Sequence, residues 1–326
     1  MTRPAKRPTS SDVARAAGVS QTTVSFVLNN RPGQTIPEET RRRVLEAARQ
    51  LDYRPHASAR ALAAGRSDIV LLAVPDLPIG QGISSFIEGL ASALAEHNLN
   101  LVTHLAGAHG RSLPDVCAAV SASAVVGFGA FDADTVQALH RAGADVVLPT
   151  LPDRDAPMME PVGRLQAEHL IAHGHRRLGY ALPAHPGLFP MAEERLQGAV
   201  AACADAGAEP PLALTVSLDL DSGAQAVGRW RENGVTAVCA FNDETAMAVL
   251  AGMRAHGLAA PGDMAVIGAD DIAAARLTAP PLTSVSFDLR QVVERRAAAV
   301  VAALAGERRA DPGSDIDPRI VLREST

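Results

Sequence analysis

Short apolar runs alternate with stretches of helical periodicity through most of the chain. The first run, residues 69–74, is apolar throughout and ends at Pro75, which is typical of a strand buried on both faces of a parallel sheet. Phe86, Leu90 and Leu94 then recur at the spacing of one helical face. Because parallel strands need a crossover between them, this alternation predicts a doubly wound α/β architecture. Further predicted strands lie at residues 99–102, 124–127, 144–148, 178–181, 235–240 and 264–267.

The head of the chain carries a different pattern, that of short helices. Thr9 precedes an apolar-periodic run and can cap a first helix, with Asp12 three residues later. Gly18 stands where that helix must turn, and Ser20 caps a second helix. Pro37 lies near the start of a third helix. Three short helices with a glycine-containing turn between the first two predict an all-α helix-turn-helix headpiece.

The charge of the chain is divided between its two ends. Residues 1–66 hold twelve Arg and Lys against five Asp and Glu, whereas the remainder holds eighteen against thirty-one. A basic head on an acidic body predicts a polyanionic partner at one end only, and the second helix of such a headpiece is the element that reads the DNA major groove. A generic three-helix bundle with a solvated polar face is the alternative interpretation. The outward candidates on the second helix are Gln21, Thr22, Ser25 and Phe26.

Composition argues against several other classes of protein. Cys117, Cys203 and Cys239 are odd in number and widely spaced, which predicts buried thiols in a reducing cytoplasm rather than disulfides or a zinc site. No stretch of about 18 uninterrupted apolar residues occurs, and no apolar signal segment follows the basic N-terminus. We therefore expect neither a membrane partner nor export, and we expect no metal and no cofactor.

An enzyme and a plain solute-binding protein are the competing function classes. The sequence contains no GxGxxG, P-loop or GxSxG motif. His173 and His175 flank Gly174 at a predicted helix end, where capping is favoured over catalysis. A solute-binding protein would explain the body of the chain but not its basic head. We therefore expect a regulator and not an enzyme.

Two stretches of the head resemble the LacI/GalR family of bacterial transcriptional regulators. Residues 12–25 read DVARAAGVSQTTVS and are followed by Leu28-Asn29, and residues 51–62 read LDYRPHASARAL, similar to the hinge of that family. Weaker landmarks follow in the right order, so the resemblance covers nearly the whole chain. They are HLIAHGHRRL at 169–178, FND at 241–243, IGADD at 267–271, PLTSV at 281–285 and REST at 323–326.

The resemblance implies a body of two doubly wound parallel-sheet lobes, similar to periplasmic sugar-binding proteins. It also implies a repressor that occupies a near-palindromic DNA operator as a homodimer, with a tetramer as the alternative, and a small-molecule effector that changes operator affinity through the hinge. The implied domains are a headpiece at 1–52, a hinge helix or linker at 53–66, and an effector-binding and dimerisation body at 67–326, with an N-lobe at about 67–150 and 285–315 and a C-lobe at about 151–284 and 316–326.

In the family a hinge helix enters the minor groove, where a leucine wedges a base step apart, and Leu62 has that position here. The hinge is too short for a stable isolated helix, so we expect it to be disordered off DNA and to fold on the operator. The DNA contacts implied by the resemblance are Thr9, Ser20, Gln21, Thr22, Thr23, Ser25, Phe26, Asn29, Tyr53, His56, Ala59 and Leu62.

Two of these positions depart from the family. Arginine, which contacts guanine bidentately, usually stands where this chain has Phe26. Either the operator differs at that base, or Phe26 packs on the backbone. His56, where the hinge commonly has asparagine, is a milder departure.

Ligands of doubly wound sheets bind outside the carboxyl ends of the strands. The implied pocket departs from the family at Glu160-Pro161, where aspartate is usual, and at Ala199, where an aromatic residue often follows Gly198. The effector is therefore left open among a sugar, a nucleobase-like molecule and other classes, and we favour a sugar-like molecule. Loop capping and ion pairing between lobes is the alternative role for the implied effector contacts. Those contacts are Asp76, Arg164, Arg195, Asn242 and Asp270.

Overall fold

A computed structural model of the chain describes residues 8–28, 36–53, 66–106, 110–150, 159–307 and 316–326. The predictions for Asn29, His56, Ala59 and Leu62, and the folding of the hinge on DNA, lie outside these residues. Within the chain, two compact units are formed by Met1–Asp68 and Ile69–Thr326.

The first unit contains a small helical bundle. Each helix contributes a fully or almost fully buried valine, namely Val13, Val24 and Val44. These side chains and their neighbours form one apolar cluster, as the helical periodicity predicts. The helices are α1 (Ser10–Ala17), α2 (Gln21–Leu28) and α3 (Glu38–Gln50).

Local capping fixes the ends of α1 as predicted. The hydroxyl of Thr9 accepts a hydrogen bond from the backbone N–H of Asp12 at 3.4 Å, and the Asp12 carboxylate accepts one from the N–H of Thr9 at 2.9 Å. Gly18 ends the helix at φ 64°, a left-handed conformation that glycine adopts without steric cost. The turn into α2 therefore has the glycine that a helix-turn-helix requires.

The second unit begins with a four-stranded sheet of order β2-β1-β3-β4, in which all neighbours are parallel. Val70, Leu71 and Leu72 of the central strand are fully buried, which agrees with the continuous apolar run in the sequence. The elements of this first lobe are β1 (Ile69–Val74), α4 (Gln81–Ala95), β2 (Asn100–Leu105), α5 (Leu113–Val120), β3 (Ala124–Phe131), α6 (Ala133–Arg141) and β4 (Val146–Thr150).

A six-stranded sheet of order β10-β9-β8-β7-β5-β6 forms the second lobe. Its neighbours are parallel except for β10, which pairs antiparallel with β9 at the edge. The elements are α7 (Glu160–Ala172), β5 (Leu178–Pro183), a 3-10 turn (Pro186–Leu188), α8 (Phe189–Asp205), β6 (Leu212–Val216), α9 (Leu220–Glu232), β7 (Ala237–Ala240), α10 (Asp243–Ala255), β8 (Ala265–Ala269), a 3-10 turn (Ala273–Arg276), β9 (Thr283–Ser286) and β10 (Arg319–Val321).

The chain passes between the lobes more than once. After β9 it enters α11 (Leu289–Leu304), whose Val293 and Val300 lie in the core of the first lobe with Val70 and Leu72. It then returns to the second lobe at β10. Movement of one lobe against the other must therefore bend several chain segments together.

The fold confirms the predicted alternation and adds three strands to it, β6, β9 and β10. β9 is polar at Thr283, Ser284 and Ser286, and β10 is an edge strand of three residues, so neither shows an apolar run. β6 was not predicted, because four of its five residues are partly or fully exposed at the sheet edge and the apolar signal is weak. All three cysteines are free and buried, as predicted. None of the helices in the described ranges combines the length and the apolar character needed to cross a bilayer.

Candidate functional site

The outward face of α2 is the first candidate site. Ser20 caps the helix, since its hydroxyl accepts a hydrogen bond from the backbone N–H of Thr23 at 3.1 Å and lies 2.9 Å from the hydroxyl of Thr23. The amide of Gln21 donates to the hydroxyl of Ser11 on α1. The N-terminal end of the helix is thus held in place by side-chain hydrogen bonds before any partner binds.

Exposure along α2 separates an inward face from an outward one. Val24 and Val27 are buried against the bundle, whereas Gln21, Thr22 and Ser25 are exposed. A helix with polar, hydroxyl-rich residues at its exposed N-terminal end can hydrogen-bond base edges in a groove.

Two further predicted DNA contacts have structural roles in the headpiece. Thr9 is the N-cap of α1, although it is exposed. Tyr53 packs against the helical core, and its backbone N–H donates to the carbonyl of Ala48 at 2.8 Å. Either side chain can still present its hydroxyl to a phosphate, since both residues keep some exposure.

The second candidate site lies at the carboxyl edge of the six-stranded sheet and is centred on Arg195 of α8. The guanidinium is almost wholly buried, and its Nη2 donates to Oδ1 of Asp270 at 2.9 Å. Its Nη1 donates to the carbonyl of Phe241, whose ring lies 4.8 Å from Cζ. Arg195 therefore bridges the residues that follow β7 and β8.

A close helix crossing sets the position of Arg195. A Cβ on Gly163 would lie 1.7 Å from the carbonyl oxygen of Arg195, and one on Gly198 would lie 2.0 Å from that of Glu160. Only glycine allows α7 and α8 to approach this closely. The crossing brings the buried face of α8 over the strand ends.

Gln166 is a buried neighbour that was not predicted from the sequence. Its Nε2 donates to the carbonyls of Ala240 at 2.8 Å and Gly268 at 2.9 Å, at the ends of β7 and β8. The signal in the sequence was a polar residue on the apolar stripe of α7, where a buried amide must find partners. Among the described residues, Oε1 of Gln166, the hydroxyl of Tyr180 and Nε of Arg195 are buried without a hydrogen-bond partner.

The two aspartates after β8 have different roles. Asp270 and Asp271 adopt φ values of 94° and 46°, so the chain turns sharply as it leaves the strand. Asp270 faces Arg195, whereas Asp271 pairs with Arg323 near the C-terminus. Only the first carboxylate of the pair therefore belongs to this site.

Asp243 is a second buried residue near the site that was not predicted from the sequence. The fully buried carboxylate accepts hydrogen bonds from the hydroxyl of Ser284 at 2.6 Å and from the backbone N–H of Ile272 at 2.8 Å. Burial raises the pKa of Asp243 to about 7, with smaller contributions from Asp270 and Asp271 in the same direction. It thus links α10, the loop after β8, and β9.

The remaining predicted effector contacts occupy different places. Asn242 caps α10, since its Oδ1 accepts from the N–H of Thr245 at 2.9 Å and from its hydroxyl at 2.7 Å. Asp76 follows β1 and is exposed. Its carbonyl oxygen would lie 1.9 Å from a Cβ on Gly187, so the two lobes meet closely at this point.

Arg164 is not brought together with Arg195. Its Nη1 pairs with Asp205 of α8 at 2.8 Å and with Glu168 at 3.5 Å. The hydrogen bond to Asp205 is the main reason that the pKa of Arg164 is raised. The side chain is about one third exposed, and its ion pairs lie within the second lobe rather than between the lobes, as the alternative interpretation had expected.

The first lobe approaches the Arg195 site through the segment after β1. Oε1 of Gln81 accepts a hydrogen bond from the N–H of Ala273 at 3.2 Å, and Gly80 lies beside the carboxylate of Glu244. Gly82 lies near Asp270. The carboxyl edges of both sheets therefore face one cleft, where doubly wound folds bind their ligands.

The histidines at the end of α7 make structural contacts. Nδ1 of His173 lies 2.8 Å from the carbonyl oxygen of His169, and Nδ1 of His175 lies 2.9 Å from the hydroxyl of Thr236. His173 is the C-cap residue of the helix. The contact of His173 matches the predicted capping role, whereas the ring of His175 joins the end of the helix to the residue before β7.

Comparison with known proteins shows the family to which the chain belongs. Residues 9–56 match the model of the LacI family of bacterial regulatory proteins, and residues 167–326 match that of the periplasmic binding protein-like domain. The transcriptional regulator GalR of Escherichia coli is 32% identical, with 96% of this chain and 94% of GalR covered. The chain belongs to the LacI family. Membership makes it a DNA-binding transcriptional regulator with a ligand-binding body.

Other LacI-family proteins resemble it over similar lengths. The transcriptional regulator DegA of Bacillus subtilis is 28% identical, with 97% of each chain covered. The complex of the transcriptional regulator CelR with cellobiose is 28% identical with a TM-score of 0.67, covering 98% of this chain and 100% of that one. The lac repressor dimer bound to operator and an anti-inducer superposes with a TM-score of 0.77 at 24% identity, covering 98% and 99%. At 24% identity, the similarity to the lac repressor shows a shared fold.

Proposed function

We propose that this LacI-family protein represses transcription from a near-palindromic operator and that a small molecule in the cleft changes its affinity for that operator. The observation that carries the proposal is the presence, in one chain, of a capped helix with an exposed polar face and a buried Arg195–Asp270 pair at the mouth of an α/β cleft. A nucleic-acid reader and a ligand site are thereby combined in one chain.

The headpiece supplies the DNA contacts. α2 enters the major groove with Gln21, Thr22 and Ser25 towards the bases, while the surplus of arginine in residues 1–66 neutralises phosphates. Because two inverted half-sites need two heads at a fixed spacing, the working form is a homodimer, with a tetramer as the alternative assembly. The hinge at 53–66 folds in the minor groove and places Leu62 at the central step.

The cleft supplies the effector contacts. Arg195 and Asp270 present a donor and an acceptor whose mutual geometry is already fixed, and Asn242 lies at the neighbouring strand end. Asp76 is exposed on the other lobe, next to Gly187, whereas Arg164 pairs with Asp205 and so joins α7 to α8. Of the five contacts expected from the sequence, we therefore propose Arg195, Asp270 and Asn242 as the central ones.

A sugar-like effector suits these groups. The charge of Arg195 is already balanced by Asp270, so the site does not present a free cation to an anionic ligand. Polar groups fixed in this way suit hydroxyls that both donate and accept hydrogen bonds. CelR, which is similar over its full length, has been solved with cellobiose bound.

Coupling runs from the cleft to the hinge. A ligand that binds one arrangement of the lobes more tightly shifts the population towards it, and the spacing of the two hinges in the dimer changes accordingly. Release from DNA on effector binding is the direction we favour. This role requires no enzymatic step, and it places the protein in the cytoplasm with the DNA it regulates.

Selection from a pool of random-sequence duplexes tests the DNA part of the proposal. Full-length protein should enrich two inverted half-sites with a fixed centre-to-centre spacing. Enrichment of a single half-site, or of no sequence, would contradict binding as a symmetric dimer. A thermal-shift screen of sugars and nucleobases then identifies ligands of the body, and a nucleobase hit without a sugar hit would overturn the effector class.

A further inference from the structure

One aromatic side chain lies on the DNA-reading face of the headpiece. Phe26 of α2 is partly exposed, and it is not among the residues that form or cover the apolar core of the described headpiece. Thr22 lies one turn before it on the same face of the helix. Val24 and Val27, which are buried, lie on the opposite face.

The polar neighbours of Phe26 have partners within the headpiece. Gln21 donates to Ser11, and the hydroxyl of Thr23 lies within hydrogen-bond distance of Ser20. Thr22 lies at the centre of the outward face, with Phe26 and Ser25 on either side of it. Thr22 and Phe26 together offer a methyl group, a hydroxyl and an aromatic ring. Such a surface makes apolar contacts in addition to hydrogen bonds.

The major groove contains a single kind of apolar group on its base edges, the C5-methyl group of thymine. The other groups exposed there are hydrogen-bond donors and acceptors, which an aromatic ring cannot satisfy. A phenylalanine ring that displaces water from a polar base edge leaves the donors and acceptors of that edge without partners. A ring that packs on a thymine methyl group instead removes two apolar surfaces, the ring and the methyl group, from water.

We propose that Phe26, with the methyl group of Thr22, determines operator specificity by contacting the C5-methyl group of a thymine in each half-site. The inference rests on the proposed entry of α2 into the major groove. It adds the chemical identity of one base that the headpiece requires. The competing outcome is that Phe26 contacts the sugar–phosphate backbone instead of a base.

The test begins with duplexes enriched from a random pool by wild-type protein and by Phe26→Ala. The wild-type half-site should contain a thymine that the variant no longer enriches. That thymine is then replaced with uracil, which removes only the methyl group. Wild-type affinity should fall about four- to tenfold, as expected for the loss of one buried methyl contact, and the affinity of Phe26→Ala should change less than about twofold.

Two further variants make the result specific to this side chain. Leu45→Ala removes another exposed apolar side chain, on α3, and should keep the full wild-type response to uracil. Phe26→Leu keeps an apolar surface and should retain a reduced thymine preference, so the proposal is testable even if the alanine variant folds poorly.

The outcomes separate the inference from the function on which it rests. If operators are enriched but uracil weakens wild type and Phe26→Ala equally at every thymine, the methyl contact is overturned and backbone packing by Phe26 is favoured. If wild type enriches no sequence, the proposed operator binding fails, and the inference fails with it.

Discussion

Nη2 of Arg195 donates a 2.9 Å hydrogen bond to Oδ1 of Asp270, which ties α8 to the loop after β8. The guanidinium is 4% exposed and the carboxylate 21% exposed, so the pair is largely removed from water. A buried pair of this kind costs desolvation, and its main effect is to penalise any change that removes one partner. The pair that we propose as an effector contact therefore also contributes to the stability of the body.

Removal of the guanidinium should destabilise the body. We expect Arg195→Met to lower the free energy of unfolding by about 2–4 kcal/mol, because Asp270 is left partly buried without its partner. Urea denaturation followed by circular dichroism measures the change. The matched control is Arg164→Met, which removes a partly exposed ion pair and should cost less than about 1 kcal/mol. Equal losses in both variants would show that burial of the Arg195 pair is not decisive.

Asp243 should make the stability of the body depend on pH. Its pKa is raised to about 7 in the folded chain, above the value of about 4 expected for an unfolded aspartate. Between these values the folded form holds a proton that the unfolded form has released. Rising pH therefore favours unfolding, and the stabilisation present below pH about 4 is lost as pH rises through about 7.

Denaturation at several pH values between 5 and 8 checks this sign. The free energy of unfolding should fall by roughly 2–3 kcal/mol more in wild type than in Asp243→Asn, which does not titrate. Burial lowers the pKa of His169 and His175, which acts in the opposite direction but is common to both proteins. Parallel pH profiles for the two proteins would rule out Asp243 as the titrating group.

Operator affinity should depend steeply on salt. Residues 1–66 contain twelve Arg and Lys, and each phosphate contact releases condensed counterions. With as few as four phosphate contacts, affinity should fall about 100-fold between about 50 and 200 mM salt. Fluorescence anisotropy on a labelled operator gives the slope, with ligand binding to the body as the salt-insensitive control. A flat slope would be incompatible with the arginine-rich head as the DNA-binding unit.

The three cysteines should be unreactive in the folded protein. Burial raises the pKa of the thiols of Cys117, Cys203 and Cys239, so the reactive thiolate is disfavoured. A chromogenic disulfide reagent at pH 7.5 should modify less than about one tenth of the thiols of native protein, and all three after unfolding in urea. Rapid modification of any one thiol in the native state would contradict its burial.

The sequence predicts best the features that depend on neighbouring residues. The caps at Thr9 and Ser20, the turn at Gly18 and the buried strand before Pro75 all follow from interactions within a few positions. Strand ends shift by up to four residues, as at β3, because their limits depend on pairing with distant strands. β6 and β10 are missed because they lie at the sheet edges, where the apolar pattern is weak, and β9 is missed because three of its four residues are polar.

Side-chain direction explains why Arg164, which was predicted at the candidate site, lies away from it and why Gln166, which was not predicted, lies in it. Arg164 and Gln166 are two residues apart on α7 and so lie on different faces of the helix. Gln166 reaches the strand ends, whereas Arg164 reaches Asp205 on the neighbouring helix. The sequence shows that both are polar, but it does not show that Gln166 is buried against the strand ends and that Arg164 lies beside α8.

The central claim is that a ligand in the cleft controls the headpiece. It is tested by titrating full-length protein with its selected operator, first without ligand and then with a saturating ligand from the thermal-shift screen. The account predicts that the ligand changes the dissociation constant of the operator by about fivefold or more, and that operator changes ligand affinity by the same factor. A ligand that binds the body and leaves operator affinity unchanged would contradict it.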